Sequence, residues 1–376
     1  GGVNVRSGAL RISNGSALGT GSKTIALTAG TAGNPQLRLD GSAGDIILPA
    51  TIRFATSNAS GSLFNEAGRN IVQGDFILSG GGGNTKIIVE AGTLTLNGDL
   101  APNFTGRNLD LSGTGNGTVN GAITDGTAPN VLGVIKSGSG SWTLSGANRW
   151  TGNTSVNAGT LLVHGSLAGG GPINVANGAT VGGTGSIAGT LTVSSGGRLA
   201  PGASLGTLTL SGTLTLAAGS TTSVELNAQT LAHDSVQGLN RVTYGGTLEV
   251  SNLAGTFAVG QSFPLIEAVL SSGNFSSITP APGAGLGWAF NPGTGTLTVV
   301  SLAAPPTITA SPVSQAVVSG QAVALSVTAP GVPAPTYGDL TALGALARRC
   351  RDARCPWGVP QAVGARVLVR VGRDRP

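Results

Sequence analysis

The sequence predicts an all-β fold of the parallel β-helix, or β-solenoid, kind. Three observations predict it. The phrase Gly-Thr-Leu returns at Gly92, Gly159, Gly189, Gly206, Gly212, Gly246 and Gly295, mostly followed by Thr and another aliphatic. Each copy reads as a turn and then a short strand with alternating faces. Second, glycine makes up 64 of 376 residues without a collagen period, and an apolar fraction of 40% is too high for a disordered linker. Third, Ile173-Asn174-Val175 through Val181 aligns with Leu191-Thr192-Val193 through Leu199 at an offset of 18. One small strand unit repeated along a chain builds a coil whose successive turns stack.

Residues 1–130 carry alternating segments such as Lys23–Thr28, Asp45–Leu48 and Lys86–Glu90, with Gly, Asn, Ser and Ala between them. The run Gly80–Asn84 is a turn, with positive φ at little steric cost. From 134 to 300 the repeat sharpens. At roughly 20 residues per turn, 300 residues predict about fifteen turns. Parallel pairing between turns should bury the aliphatics in columns along the axis.

The net charge of +5 belongs to the end of the chain. Residues 1–337 hold 12 Lys+Arg and 12 Asp+Glu, whereas the last 39 hold 8 Arg and 3 Asp. The body lacks the basic stripe that a nucleic-acid partner requires. Both cysteines, Cys350 and Cys355, also lie in that tail, so the body holds no disulfide framework. No apolar run is long enough to predict a membrane-spanning helix, and no membrane insertion by this chain is expected. The chain opens Gly-Gly, has no Met and shows no signal pattern, and we read it as a fragment or as a chain whose export signal has been lost.

The segment Lys136-Ser137-Gly138-Ser139-Gly140-Ser141-Trp142-Thr143-Leu144-Ser145-Gly146, continuing through Asn148-Arg149-Trp150-Thr151-Gly152 to Val156-Asn157-Ala158-Gly159-Thr160-Leu161, resembles the autotransporter-associated β-strand repeat. Leu199-Ala200-Pro201-Gly202-Ala203-Ser204-Leu205-Gly206-Thr207-Leu208 is similar to a second element of such passengers. His233-Asp234-Ser235-Val236 with Val242–Leu248 resembles their closing turn. The resemblance covers roughly residues 1–300. It implies a right-handed parallel β-helix over 1–304, clearest at 134–250, in a secreted or surface-displayed bacterial protein.

At 305–337 the character changes. Pro305-Pro306-Thr307-Ile308-Thr309, with Val317, Val323, Leu325 and Val327 after it, looks like the first two strands of an immunoglobulin-like domain. A strand with its core Trp should follow. Instead the sequence turns Arg-rich, and we read 338–376 as an out-of-frame tail. Two strands cannot build a sandwich core, so disorder is expected from about 305 onward.

Residues suited to catalysis are scarce. A nucleophilic triad needs a base beside its nucleophile, and the two histidines are His164, at a strand end before a turn, and His233, beside Asp234. Both read as structural. The best enzymatic constellation is Asp75, Glu90, Asp99 and Asp110, near Lys86 and Arg107. If turns brought these acids to one face, a polysaccharide lyase or hydrolase would be the alternative function. The Gly runs at 80–83 and 169–171 lack the Asp of a Ca²⁺-binding nonapeptide, and Cys350 and Cys355 lack further ligands for zinc. No cofactor, metal or catalytic residue is predicted. The Asn-x-Ser/Thr sequons follow from composition. Trp142 and Trp150 are ligand-contact candidates if they stack on sugars, although the family pattern places aromatics there for packing. Lys136 is expected to cover a strand edge with its stem. The expected function is a non-catalytic, adhesin-like scaffold outside the cell, with extracellular glycans or other surface components as partners.

Overall fold

The computed structural model describes residues 1–19, 21–28, 34–57, 61–80, 84–302 and 307–310, with strand fragments at 323–324, 337–339, 367–368 and 370–372. Two compact units are distinguished: 1–282 with 288–299, and 283–287 with 300–376. The first holds the solenoid. In the second, Val323–Ala324 pairs with Val367–Leu368, and Tyr337–Asp339 pairs with Arg370–Gly372. The expected immunoglobulin-like segment and the Arg-rich tail otherwise lie outside the described residues.

No α-helix occurs among the described residues; a three-residue 3₁₀ turn, Gly41–Ala43, is the one helical element. No helix there is long and apolar enough to cross a membrane. The chain instead coils through three sheet faces per turn. Face 1 starts with Gly2–Val5, Lys23–Leu27, Ile52–Thr56, Phe76–Leu78 and Leu100–Pro102. It continues through an isolated bridge at Ile123 to Ala147–Asn148, Ser166–Leu167, Ser186–Ile187 and Thr207–Leu210. Face 2 runs from Ala9–Ile12 to Thr213–Leu216, and face 3 is an 11-stranded sheet from Ile47–Leu48 to Ser277–Thr279. Pairing between turns is parallel throughout these faces, as in Thr160 against Thr180 and Thr180 against Arg198.

The eleven strands of face 3 are separated by ten steps. The chain between Ile47 and Ser277 is shared among those steps, which makes the average turn longer than the sequence reading assumed. This corrects the expected fifteen turns to about ten. The offset of 18 read from the sequence is a true register, because Ile173 pairs with Leu191 and Val181 with Leu199. It belongs to the most compact part of the coil. Turns in the first half carry longer links, so that Asn84 finds its partner only at Asn108.

The core is a set of side-chain columns. On face 3, Leu48, Val72, Leu96, Val119, Leu144 and Val163 lie in register and are all fully buried. On face 1, Phe54 and Phe76 stack with ring centroids 4.6 Å apart. Each such side chain contributes about 1.5–3 kcal/mol by leaving water. The repeat keeps the same residue type at the same depth, so no turn needs a partner beyond its two neighbours.

Glycine builds the corner between faces 3 and 1. Gly74, Gly98, Gly121, Gly146, Gly165 and Gly185 stack there, and a Cβ on any of the last five would stand 2.0–2.2 Å from the carbonyl oxygen of the glycine below. The close approach of one turn to the next therefore excludes every other residue. At the far end the ladder changes sense. Ser235–Tyr244 passes from face 1 to face 2 through Gly238, at φ 80°, and joins both faces into one 16-stranded sheet. Beyond it, Ser262, Phe263 and Pro264 pair antiparallel with Thr298, Leu297 and Thr296. Two aromatic groups form here: Phe257 meets Phe263 at 6.0 Å, and Tyr244, Phe275 and Phe290 meet pairwise at 4.9–5.4 Å.

Candidate functional site

The segment 134–163 spans one full turn and the first two strands of the next, Thr154–Val156 and Gly159–Val163, and each of its unusual residues has a mechanical task. Lys136 stands in the inward column of face 2, in register with Leu111 before it and Val156 after it. It is fully buried. Its stem is part of the core rather than a cover for a strand edge, which corrects the sequence expectation. The ammonium donates to the carbonyls of Ser137 at 2.9 Å, Gly138 at 2.8 Å and Ala158 at 2.9 Å. Those carbonyls belong to two successive corners, so one charge ties two turns together. Burial pushes the ammonium down to about 8, while the charge of Asp110 works in the opposite direction.

Trp142 is also fully buried, and it lies in register with Gly117 on the preceding turn. A Cβ at Gly117 would stand 2.4 Å from the indole, so the ring occupies the volume that a side chain there would take. Its Nε1 donates to the Ser112 carbonyl at 3.3 Å. Trp150 is 4% exposed, and its Nε1 donates to Thr154 Oγ1 at 2.9 Å. It lines a small, shallow hollow with Leu167, Ile173 and Ile187. Neither indole offers an open face on which a sugar could stack. Asn148, fully buried, accepts from Ile123 N–H at 3.0 Å and donates to the Gly146 carbonyl at 2.9 Å, closing a corner.

The four acids proposed as a constellation are divided between corners and face 2. Asp75 accepts from the Asp99 N–H at 3.1 Å, and Asp99 accepts from the Ala122 N–H at 2.8 Å. Both cap the entry to face 1 on the next turn. Glu90 ends a strand of face 2, where it lies 3.7 Å from Arg38. Asp110 is nearly buried on face 2 and accepts from Ser137 Oγ at 2.5 Å, with Lys86 3.6 Å away. Arg107 is buried and donates to Thr85 Oγ1 at 2.6 Å; burial lowers its pKa. Among the described residues, no three His, Cys, Asp or Glu side chains converge as a metal site would require.

His164 follows its strand at the glycine corner, where its Nδ1 pairs with Thr184 Oγ1 at 2.9 Å in a polar ladder that begins with Asn97 and Asn120. His233 Nδ1 lies 2.9 Å from the Leu231 carbonyl, and its ring meets Phe263 edge-on. Beside it, Asp234 is a residue that sequence reasoning did not single out for its own sake. It is 2% exposed, and its two oxygens accept from Gly206 N–H at 2.9 Å and Glu225 N–H at 2.8 Å. Burial pushes its carboxyl up to about 6, against the pull of those two N–H donors. The signal that it matters was the Pro201–Gly206 loop itself: Gly202 at φ 86° and Ser204 at φ 93° turn the chain tightly there, and Gly202 lies against the carboxylate.

Charge on the surface is used in the same way. Arg11 pairs with Asp40 at 2.9 Å and with Glu66 at 2.5 Å, and Arg38 pairs with Glu66 at 2.7 Å while its guanidinium covers the Phe64 ring at 4.1 Å. These bonds cross turns and bind the coil rather than a substrate.

Comparison with known proteins agrees with this reading. Residues 134–163 match the family described as the passenger-associated-transport-repeat. A curated relative, the adhesin BmaC autotransporter of Brucella suis biovar 1 (strain 1330), is 34% identical over 185 residues. The match covers 47% of this chain and 5% of that protein, so the chain spans a small part of the relative's length. With the repeat seated in register within a parallel solenoid, the chain is a repeat protein of the autotransporter-passenger type.

Proposed function

We propose that the chain is a non-catalytic segment of a surface-displayed or secreted passenger, and that it acts as an adhesin-like scaffold. The observation that carries this is how the polar side chains are used. Three of the buried ones, Lys136, Asn148 and Asp234, are hydrogen-bonded to backbone groups of neighbouring turns or loops. A structure that commits its unusual residues to stacking is built to extend and to present loops. A relative named as an adhesin supports the same assignment.

The test is direct. Polystyrene beads coated with the chain, and beads coated with albumin, are counted after washing on epithelial monolayers and on matrix-coated wells. The proposal expects several-fold greater retention of the first set on at least one surface. Equal retention on every surface contradicts it.

A further inference from the structure

We infer that the corner between faces 1 and 2, around Phe104, is a binding site for an uncharged saccharide; this rests on the adhesin-like reading above and locates its contact surface. Three observations point there.

The first is a long link. At this corner the chain passes from face 1 to face 2 in two to five residues at most turns, as in 103–106, 149–153 and 211–212, whereas 124–131 uses eight, as 28–35 does. In a stacked coil, an insertion at a corner projects beside the regular faces, and such projections are where solenoids bind. The 124–131 link folds back against the strand that leads to Phe104: Asn130 Nδ2 donates to the Pro102 carbonyl at 3.3 Å.

The second is Phe104. It is 56% exposed and is the one aromatic among the exposed large hydrophobics of the described residues. Its ring does not wave free. A Cβ on Gly80, one turn earlier, would stand 3.3 Å from Cγ and 3.4 Å from Cδ2, so the ring rests against backbone that has no side chain. A rigid aromatic with one side supported and the other side open is a platform for the apolar face of a flat ring.

The third is the surrounding chemistry. Asn103, Thr105, Thr127 and Asn130 supply amides and hydroxyls. The only charge within links 103–106 and 124–131 is Asp125, and both of its oxygens are consumed, by Leu132 N–H at 2.8 Å and Thr151 Oγ1 at 2.7 Å. An anionic ligand finds no positive side chain within these links, and the Asp125 carboxylate repels it. A ligand with apolar ring faces and many hydroxyls fits an aromatic flanked by neutral hydrogen-bonding groups.

The experiment titrates the full chain with cellohexaose, chitohexaose and the acidic hexagalacturonate, read by saturation-transfer NMR and calorimetry. The expected result is saturable binding of at least one neutral hexasaccharide and weaker binding of the acidic one. Phe104→Ala should weaken that binding about tenfold or more, with the melting temperature unchanged, while Phe104→Tyr retains it. Gly80→Ala should also weaken it, by lifting the ring. Absence of binding by both neutral sugars overturns the inference, as does Phe104→Ala binding like the parent chain or a protein partner competing in place of sugar. Bead adhesion separates this from the broader reading: if Phe104→Ala beads still adhere, the site is wrong and the scaffold function stands.

Discussion

The Lys136 Nζ stands 2.9 Å from the carbonyl oxygen of Ala158, which lies on the following turn. A cation placed in an aliphatic column is costly to desolvate, and it is tolerated here because three carbonyls receive its three protons. Lys136→Ala removes the donor and leaves a gap between Leu111 and Val156. We expect a loss of about 2–4 kcal/mol in urea unfolding, from orphaned carbonyls and the lost packing.

The same lysine sets a pH dependence. Its folded pKa, about 8, lies below the ordinary 10.5. Below 8 both states carry the proton, and the cost of burying the charge is fully present. Between 8 and 10.5 the unfolded chain binds more protons, so stability rises with pH. Melting temperatures across that window should climb for the parent chain relative to Lys136→Met. Parallel curves would contradict the assignment.

Asp234 has the opposite sign. Its folded pKa, about 6, lies above the ordinary 3.8, so its contribution is greatest below 3.8 and is lost as pH rises to 6. Asp234→Asn removes this slope. It also turns an N–H donor toward either Gly206 N–H or Glu225 N–H, at a cost of about 1–3 kcal/mol at neutral pH. Thermal unfolding at pH 4 and 7 for both proteins measures the two effects together.

Gly117→Ala drives a methyl into the Trp142 ring, since 2.4 Å is closer than any carbon contact allows. We expect about 1–3 kcal/mol of destabilisation and a red-shifted tryptophan emission as the indole is displaced. An unshifted spectrum with full stability would show that the ring lies elsewhere.

Thr222 offers a gain. It occupies an inward column between Leu199 and Leu248, and its buried hydroxyl has no hydrogen-bond partner. Thr222→Val keeps the shape and deletes the unpaired group, which should stabilise the fold by about 1 kcal/mol. A lower melting temperature would mean the hydroxyl is satisfied.

The parallel solenoid was legible because the Gly-Thr-Leu phrase marks a corner and a strand at once, and because 173–181 and 191–199 repeat without insertions. The turn count was not legible, since links such as 124–131 add residues at a corner without changing the strands. Lys136 was misplaced for a related reason: a lysine in an alternating strand reads as outward-facing, and only the carbonyls of Gly138 and Ala158, brought together by stacking, make the inward position possible. Phe104 gave no signal at all, because the support of its ring depends on Gly80, which only the coiling of the chain brings beneath it. The acids were hard to read alone. Asp75 and Asp99 differ from catalytic carboxylates only in what lies one turn above them.

Stacking of successive turns in parallel register is the claim on which the rest depends, and spin labels measure it most directly. In a chain with Cys350 and Cys355 replaced by Ser, labels at Ser155 and Asn174 sit on directly paired strands, and labels at Asn174 and Thr215 sit two turns apart. Parallel strands spaced about 4.8 Å predict strong dipolar broadening for the first pair and a clearly weaker effect at about 10 Å for the second. Absence of broadening between Ser155 and Asn174, or equal broadening in both pairs, would contradict the stacked coil.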